Sequence, residues 1–282
     1  MTLIRFEGID VDVRGRTDVG RIRRINQDQF LVAALHKVID IHDTSLPATY
    51  RERFDSGARA LLFLVADGVG GGPSGERASS LTLDAIMRYV TNSMRCFYKL
   101  DQLASIDLMG ELASSVMESH IAVRAESDED PDARGMATTV TMAHVLWPRA
   151  YIVHIGDSRC YRLRGDTLTQ VTHDQTVSQA LVDAGAMTEE QAAVSPYSSV
   201  LTQAVGASDE LEPALSQLDL AAGDTLLMCT DGLTKHVTKD AIVQLLQQHP
   251  TAETGSTALV EAALAGGGTD NVTALVARFL VP

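Results

Sequence analysis

Three aspartates stand where an apolar run gives way to a turn residue. They are Asp67 in Val65-Ala66-Asp67-Gly68-Val69, Asp231 in Cys229-Thr230-Asp231-Gly232-Leu233, and Asp270 in Thr269-Asp270-Asn271-Val272. A strand end is where a rigid scaffold can aim a side chain into a cleft. Carboxylates brought to one cleft repel each other, and hard divalent cations are the usual remedy. An all-oxygen donor set favours Mg²⁺ or Mn²⁺ over zinc. A single Asp-Gly after a strand is more often a plain turn. Two of them, with Thr-Asp-Asn ahead of a further strand, give a metal site more weight. Arg21, Arg23 and Arg24 read, on spacing alone, as surface cations.

The elements around these aspartates follow from periodicity. Leu61 to Ala66 is an uninterrupted apolar run, as expected of a strand buried on both faces. Glycines 68, 70, 71, 72 and 75 follow, and a helix begins near Ser74 with Ala78, Leu81, Ala85 and Tyr89 at helical spacing. Met109, Leu112, Ala113, Val116, Met117, His120 and Ile121 predict a second helix. Ile9 to Val13, Phe30 to Val32, Thr138 to Val145, Ala150 to Ile155, Leu226 to Thr230 and Asn271 to Val281 read as strands. Cys160 to Leu163 and Leu168 to Val171 flank Arg164-Gly165-Asp166, a hairpin signal. Val177 to Ala184 predicts a short helix, Thr188 to Gln191 a capping box, and 241–248 and 258–265 two further helices. Leu35 to Ala60 reads as a loop or insertion. Hairpin-like strand groups with paired helices point to an α/β or α+β domain built on antiparallel sheets.

The chain has 282 residues, with 23 Lys plus Arg against 37 Asp plus Glu, a net charge of −14 that disfavours nucleic-acid partners. Hydrophobic residues make up 45%, enough for a substantial core. Cys96, Cys160 and Cys229 lie far apart with no CxxC, which fits buried thiols and a reducing compartment. The first residues lack the apolar stretch of a signal peptide, and the apolar run 60–66 is too short to span a bilayer, so a cytoplasmic protein without membrane attachment is expected.

The sequence as a whole resembles the bacterial branch of the metal-dependent protein phosphatases, the PPM or protein phosphatase 2C-like family. The resemblance is carried, in family order, by Arg16 to Asp28, Leu61 to Ser79, Gly135 to Val145, Tyr151 to Leu163, Leu168 to Thr188, Leu226 to Leu233 and Gly266 to Phe279. It implies one domain over 1–282, two packed antiparallel sheets flanked by helix pairs, and a flap-like segment over 173–207. It implies a serine/threonine phosphatase using a Mn²⁺- or Mg²⁺-activated water, with two ions and room for a third. Asp67 corresponds to the aspartate shared by both metals, Gly68 to a carbonyl ligand, and Asp231 and Asp270 to ligands of the second metal. Arg23 corresponds to the arginine that grips the substrate phosphate. Asp132 and Asp157 correspond to a weaker third site, Asp28 to an acid behind the ligands, and Asn271 to a group orienting Asp270. Partners would be phosphoproteins and a cognate Ser/Thr kinase, and the protein a monomer.

Three positions depart from the family pattern. Val69 stands where many members have histidine, Gln27 where glutamate is common, and Ala137 where glycine is usual. His154 reads as a core histidine, and His173 opens the flap-like segment. Gly70 to Gly75 lacks the Gly-Lys-Ser/Thr ending of a nucleotide P-loop and reads as a tight strand-to-helix turn. A catalytically inactive binding module on this fold, and a domain acting in bacterial sigma-factor switching, stay open as other readings.

Overall fold

A computed structural model describes residues 3–6, 8–38, 55–70, 73–93 and 105–281. The strands are β1 (Leu3–Phe6), β2 (Ile9–Asp18), β3 (Asp28–Val38), β4 (Asp55–Val69), β5 (Ala137–Thr138), β6 (Val140–Leu146), β7 (Arg149–Ile155), β8 (Arg159–Arg164), β9 (Thr167–Gln170), β10 (Ala214–Asp219), β11 (Thr225–Cys229) and β12 (Val272–Phe279). The helices are α1 (Pro73–Ser93), α2 (Ser105–Glu129), α3 (Val177–Asp183), α4 (Glu189–Ala193), α5 (Asp231–Thr234), α6 (Lys239–Gln248) and α7 (Ala252–Ala265). One antiparallel sheet runs β10-β7-β6-β4-β3, and the other runs β1-β2-β12-β11-β8-β9. A parallel step at Phe6 and Ala58 joins them.

β4 shows why an all-apolar strand is needed. Leu62, Leu64 and Ala66 pack towards α1 and α2 with Ile86, Leu112 and Val116. The alternate residues Leu61, Phe63 and Val65 face the second sheet and meet Val11, Val13, Met228 and Leu275. β12 sorts itself likewise, with Leu275 and Ala277 turned inwards and Ala274 and Val276 turned to Ile242, Leu246 and Leu259 of α6 and α7. The result is four layers, helix–sheet–sheet–helix. Each fully buried Leu, Val or Phe contributes about 1.5–3 kcal/mol through removal from water.

Three expectations shift. The segment expected as a loop over 35–60 carries strand at both ends, where Leu35 pairs with Ala60 and Val38 with Asp55. Residues 39–54 lie outside the described residues, as do Cys96, Gly71 and Gly72. In α1 the buried stripe is Ala78, Leu83, Ile86 and Val90, one step round from the predicted face. The sheet selects that face, while Tyr89 turns aside to donate a 2.8 Å hydrogen bond to Glu111 of α2. β1 and β10, read as neither strand nor helix, add to existing sheet edges through β2 and β7.

Candidate metal centre

Asp28 begins β3 directly opposite Asp67 near the end of β4. Past Asp67 the chain runs through Gly68, where an added Cβ would lie 2.2 Å from the Gly75 carbonyl oxygen and 2.9 Å from that of Gln27. Only glycine lets the three backbones approach this closely. The Asp67 backbone is clamped: its N–H donates to Thr139 Oγ1 at 3.0 Å, and its carbonyl accepts from Thr138 Oγ1 at 2.8 Å.

Asp231 is the first residue of α5, after β11. The preceding Thr230 would ordinarily cap this helix. Its hydroxyl instead donates to Asp28 Oδ2 at 2.8 Å, joined there by Thr273 Oγ1 at 2.7 Å. Asp270 sits just before β12, and the following Asn271 N–H donates to its Oδ1 at 3.0 Å. The Asn271 side chain turns the other way. Its Nδ2 donates to the carbonyls of Val19 and Ile25 at 2.9 and 3.0 Å, and its Oδ1 accepts from the Gln27 N–H at 2.9 Å. The amide therefore ties down the loop that carries Arg23.

These elements enclose a cleft of about 240 Å³ lined by Arg23, Asp67, Gly68, Asp157, Asp231 and Asp270, with Val69 and Leu201 on its wall. Two cations enter it. Arg23 bonds Asp270 with both arms, Nε to Oδ1 at 2.8 Å and a terminal nitrogen to Oδ2 at 3.1 Å. Lys235 lies 2.5 Å from Asp231 Oδ2 and 3.0 Å from Asp270 Oδ2.

The electrostatics are uneven. Burial, and then the charges of Asp28, Asp231 and Asp157, push the Asp67 carboxyl well above its ordinary range. Asp157 is pushed up to about 7 by burial and then by Asp231. Burial likewise lifts Asp28 to about 7, against the two threonine hydrogen bonds. Burial works against the Asp270 charge as well, but Arg23 and Lys235 outweigh it and hold this carboxyl low. Divalent cations fit such a site: every donor is a hard oxygen, neighbouring acids crowd the Asp67 carboxyl, and Asp231 Oδ1 is buried with no hydrogen-bond partner. Among the described residues, no three acidic, histidine or cysteine side chains are close enough together to hold one ion between them.

Of the residues expected at the site, Asp67, Gly68, Asp231, Asp270, Arg23 and Asp157 meet at the cleft. Asp28 and Asn271 lie buried behind it. Asp132 does not line the cleft; it is exposed in a single 3₁₀ turn, Pro131–Ala133. His154 is a core residue bonded through Nδ1 to Thr141, and His173 pairs with Asp183. Sequence reasoning passed over Lys235, although its place four residues after Asp231 is the spacing at which helical side chains meet. It also passed over the threonines at 139, 230 and 273, whose hydroxyls carry no distinguishing spacing.

Comparison with known proteins identifies the family. Residues 51–265 match the family described as Protein phosphatase 2C. A serine/threonine protein phosphatase of Mycobacterium tuberculosis, PstP, is 40% identical over 220 residues, covering 78% of this chain and 40% of that protein. The chain thus spans 40% of the length of the first curated relatives it matches. The crystal structure of the Mycobacterium tuberculosis phosphatase PstP/Ppp superposes with a TM-score of 0.77 at 34% identity, covering 97% of this chain and 100% of that one. The PstP catalytic domain in complex with two manganese ions gives 0.74 at 33% identity, over 97% and 99%. On the matched residues and the shared architecture, this chain belongs to the protein phosphatase 2C family.

Proposed function

We propose that the chain is a metal-dependent protein serine/threonine phosphatase that hydrolyses phosphoserine and phosphothreonine on proteins. The observation that carries this is the convergence of Asp67, Asp157, Asp231 and Asp270, with Arg23, on one open cleft. Asp67, the Gly68 carbonyl, Asp231 and Asp270 would hold two Mn²⁺ or Mg²⁺ ions, and Asp157 a weaker third. Such ions supply Lewis-acid charge for phosphate oxygens and acidify a water for in-line attack on phosphorus. Arg23, with its side chain half exposed at the mouth, offers a planar fork suited to phosphate oxygens. Asn271 fixes the loop that presents it. Asp28 backs Asp67 and is itself held by Thr230 and Thr273. Val69 has no proton to give, so the leaving oxygen takes its proton from solvent or from another group.

The described residues support one domain, with 173–207 as a flap-like segment that lends Ser199 and Leu201 to the cleft. No helix among them is long and apolar enough to cross a membrane. A monomer in the cytoplasm, opposing a Ser/Thr kinase, fits this reading. The ion pairs on Asp231 and Asp270 favour a second reading, an inactive binding module in which these two acids are already paired with cations. Phosphate release from a phosphothreonine peptide separates the two. Activity that needs added Mn²⁺ and disappears in Asp231→Asn supports the enzyme, whereas no release at any Mn²⁺ concentration leaves the binding module.

A further inference from the structure

Lys235 follows α5 immediately, and its ammonium spans two aspartates that arrive from different parts of the chain, Asp231 at the start of α5 after β11 and Asp270 just before β12. Burial works against its charge, but those two carboxylates outweigh burial and stabilise the ammonium. Arg23 cannot take this part, because both of its arms lie on Asp270 alone.

We propose that Lys235 is a built-in counter-ion of the metal centre. It holds Asp231 and Asp270 together, and it competes with a divalent cation for the same carboxylate oxygens. This rests on the reading of the cleft as a metal centre. The physical basis is the mutual repulsion of the two carboxylates, which a single charge placed between them relieves. An ammonium is a compact, well-hydrated charge on a flexible four-carbon stem, so it can withdraw to water when displaced. The Lys235 side chain is 37% exposed, which leaves that route open. A divalent ion carries twice the charge and displaces the ammonium once its concentration is sufficient. Lys235 is a positioning residue on this view: it steadies the metal-free site and weakens the affinity for the ion held by Asp231 and Asp270.

Calorimetric titration of the metal-stripped protein with Mn²⁺ tests this in wild type, Lys235→Met and Lys235→Arg. Lys235→Met should bind Mn²⁺ at least about tenfold more tightly than wild type, because the site loses a competing positive charge. Its metal-free form should melt at a lower temperature, and Lys235→Arg should stay near wild type in both respects. Should Lys235→Met not fold, lysine side-chain NMR of the wild type decides: the Lys235 ammonium resonance should shift or exchange away at saturating Mg²⁺. Equal or weaker Mn²⁺ binding by Lys235→Met, or an ammonium resonance unmoved by Mg²⁺, overturns the proposal while leaving the metal centre standing. Absence of Mn²⁺ binding in both wild type and variant overturns the metal centre as well.

Discussion

Asp28 and Asp67 face each other as a directly paired couple across the β3–β4 ladder, two carboxylates where a sheet ordinarily avoids like charges. The arrangement persists because Thr230 and Thr273 both donate to Asp28 and because the neighbouring group can stay protonated.

A stability prediction follows from this couple. Burial raises the Asp28 carboxyl to about 7 in the folded protein, from 3.8. A group raised in this way stabilises the fold below its unfolded value, and that stability is lost as pH rises through the folded value. Asn mimics the protonated side chain and does not titrate. In the metal-stripped protein, the melting temperature of Asp28→Asn should therefore equal or trail wild type near pH 4. It should gain on wild type between pH 4 and 7, by roughly 2–4 °C for each kcal/mol relieved. Melting curves over that range check it, and a pH-independent difference between the two proteins would count against it.

Arg23 and lysine should not be interchangeable. Arg23→Ala should lower kcat/KM on a phosphothreonine peptide by about 10–100-fold, since it removes a charged hydrogen-bonding fork from the phosphate. Arg23→Lys should recover only part of that loss, because an ammonium cannot bond two oxygens in one plane. Steady-state kinetics at saturating Mn²⁺ measure both. Full activity in Arg23→Ala would remove the arginine from phosphate binding.

Gly68→Ala should damage stability and activity together. The new methyl would sit 2.2 Å from the Gly75 carbonyl oxygen, and backbone must move to admit it. Overpacking of this kind costs about 1–3 kcal/mol. Chemical denaturation should show that loss, and Mn²⁺ affinity should fall because Asp67 is the adjacent residue.

Asn271→Ala should act on the loop rather than on Asp270. The change removes three hydrogen bonds, from the half-buried Val19 and Ile25 carbonyls and from the buried Gln27 N–H. About 1–3 kcal/mol per stranded group is at stake where water cannot enter. Protease cleavage within 19–27 should become faster, and KM for the phosphopeptide should rise more than kcat falls. A variant that changes only Mn²⁺ affinity would place Asn271 with the metal ligands instead.

The local grammar of this protein was readable from its residues. A short unbroken apolar run that ends in Asp-Gly suits a strand buried on both faces, and Leu61 to Ala66 is one, with its alternate side chains in two different cores. The Gly165 turn, the Thr188 capping box and the order of motifs were equally legible, since each depends on neighbours a few positions away. The aspartates 67, 231 and 270 could be singled out for the same reason. What they touch could not. Thr273 reaches Asp28 across 245 positions and Arg23 reaches Asp270 across 247, and such distances are closed only by tertiary packing. Packing also decided which face of α1 is buried, that the Asn271 amide serves the Arg23 loop, and that Asp132 stays outside the cleft. Lys235 shows the division most clearly. Its spacing from Asp231 is a local matter, but its second partner, Asp270, comes from another element, and only the packing of β11 beside β12 brings the two carboxylates within reach of one ammonium.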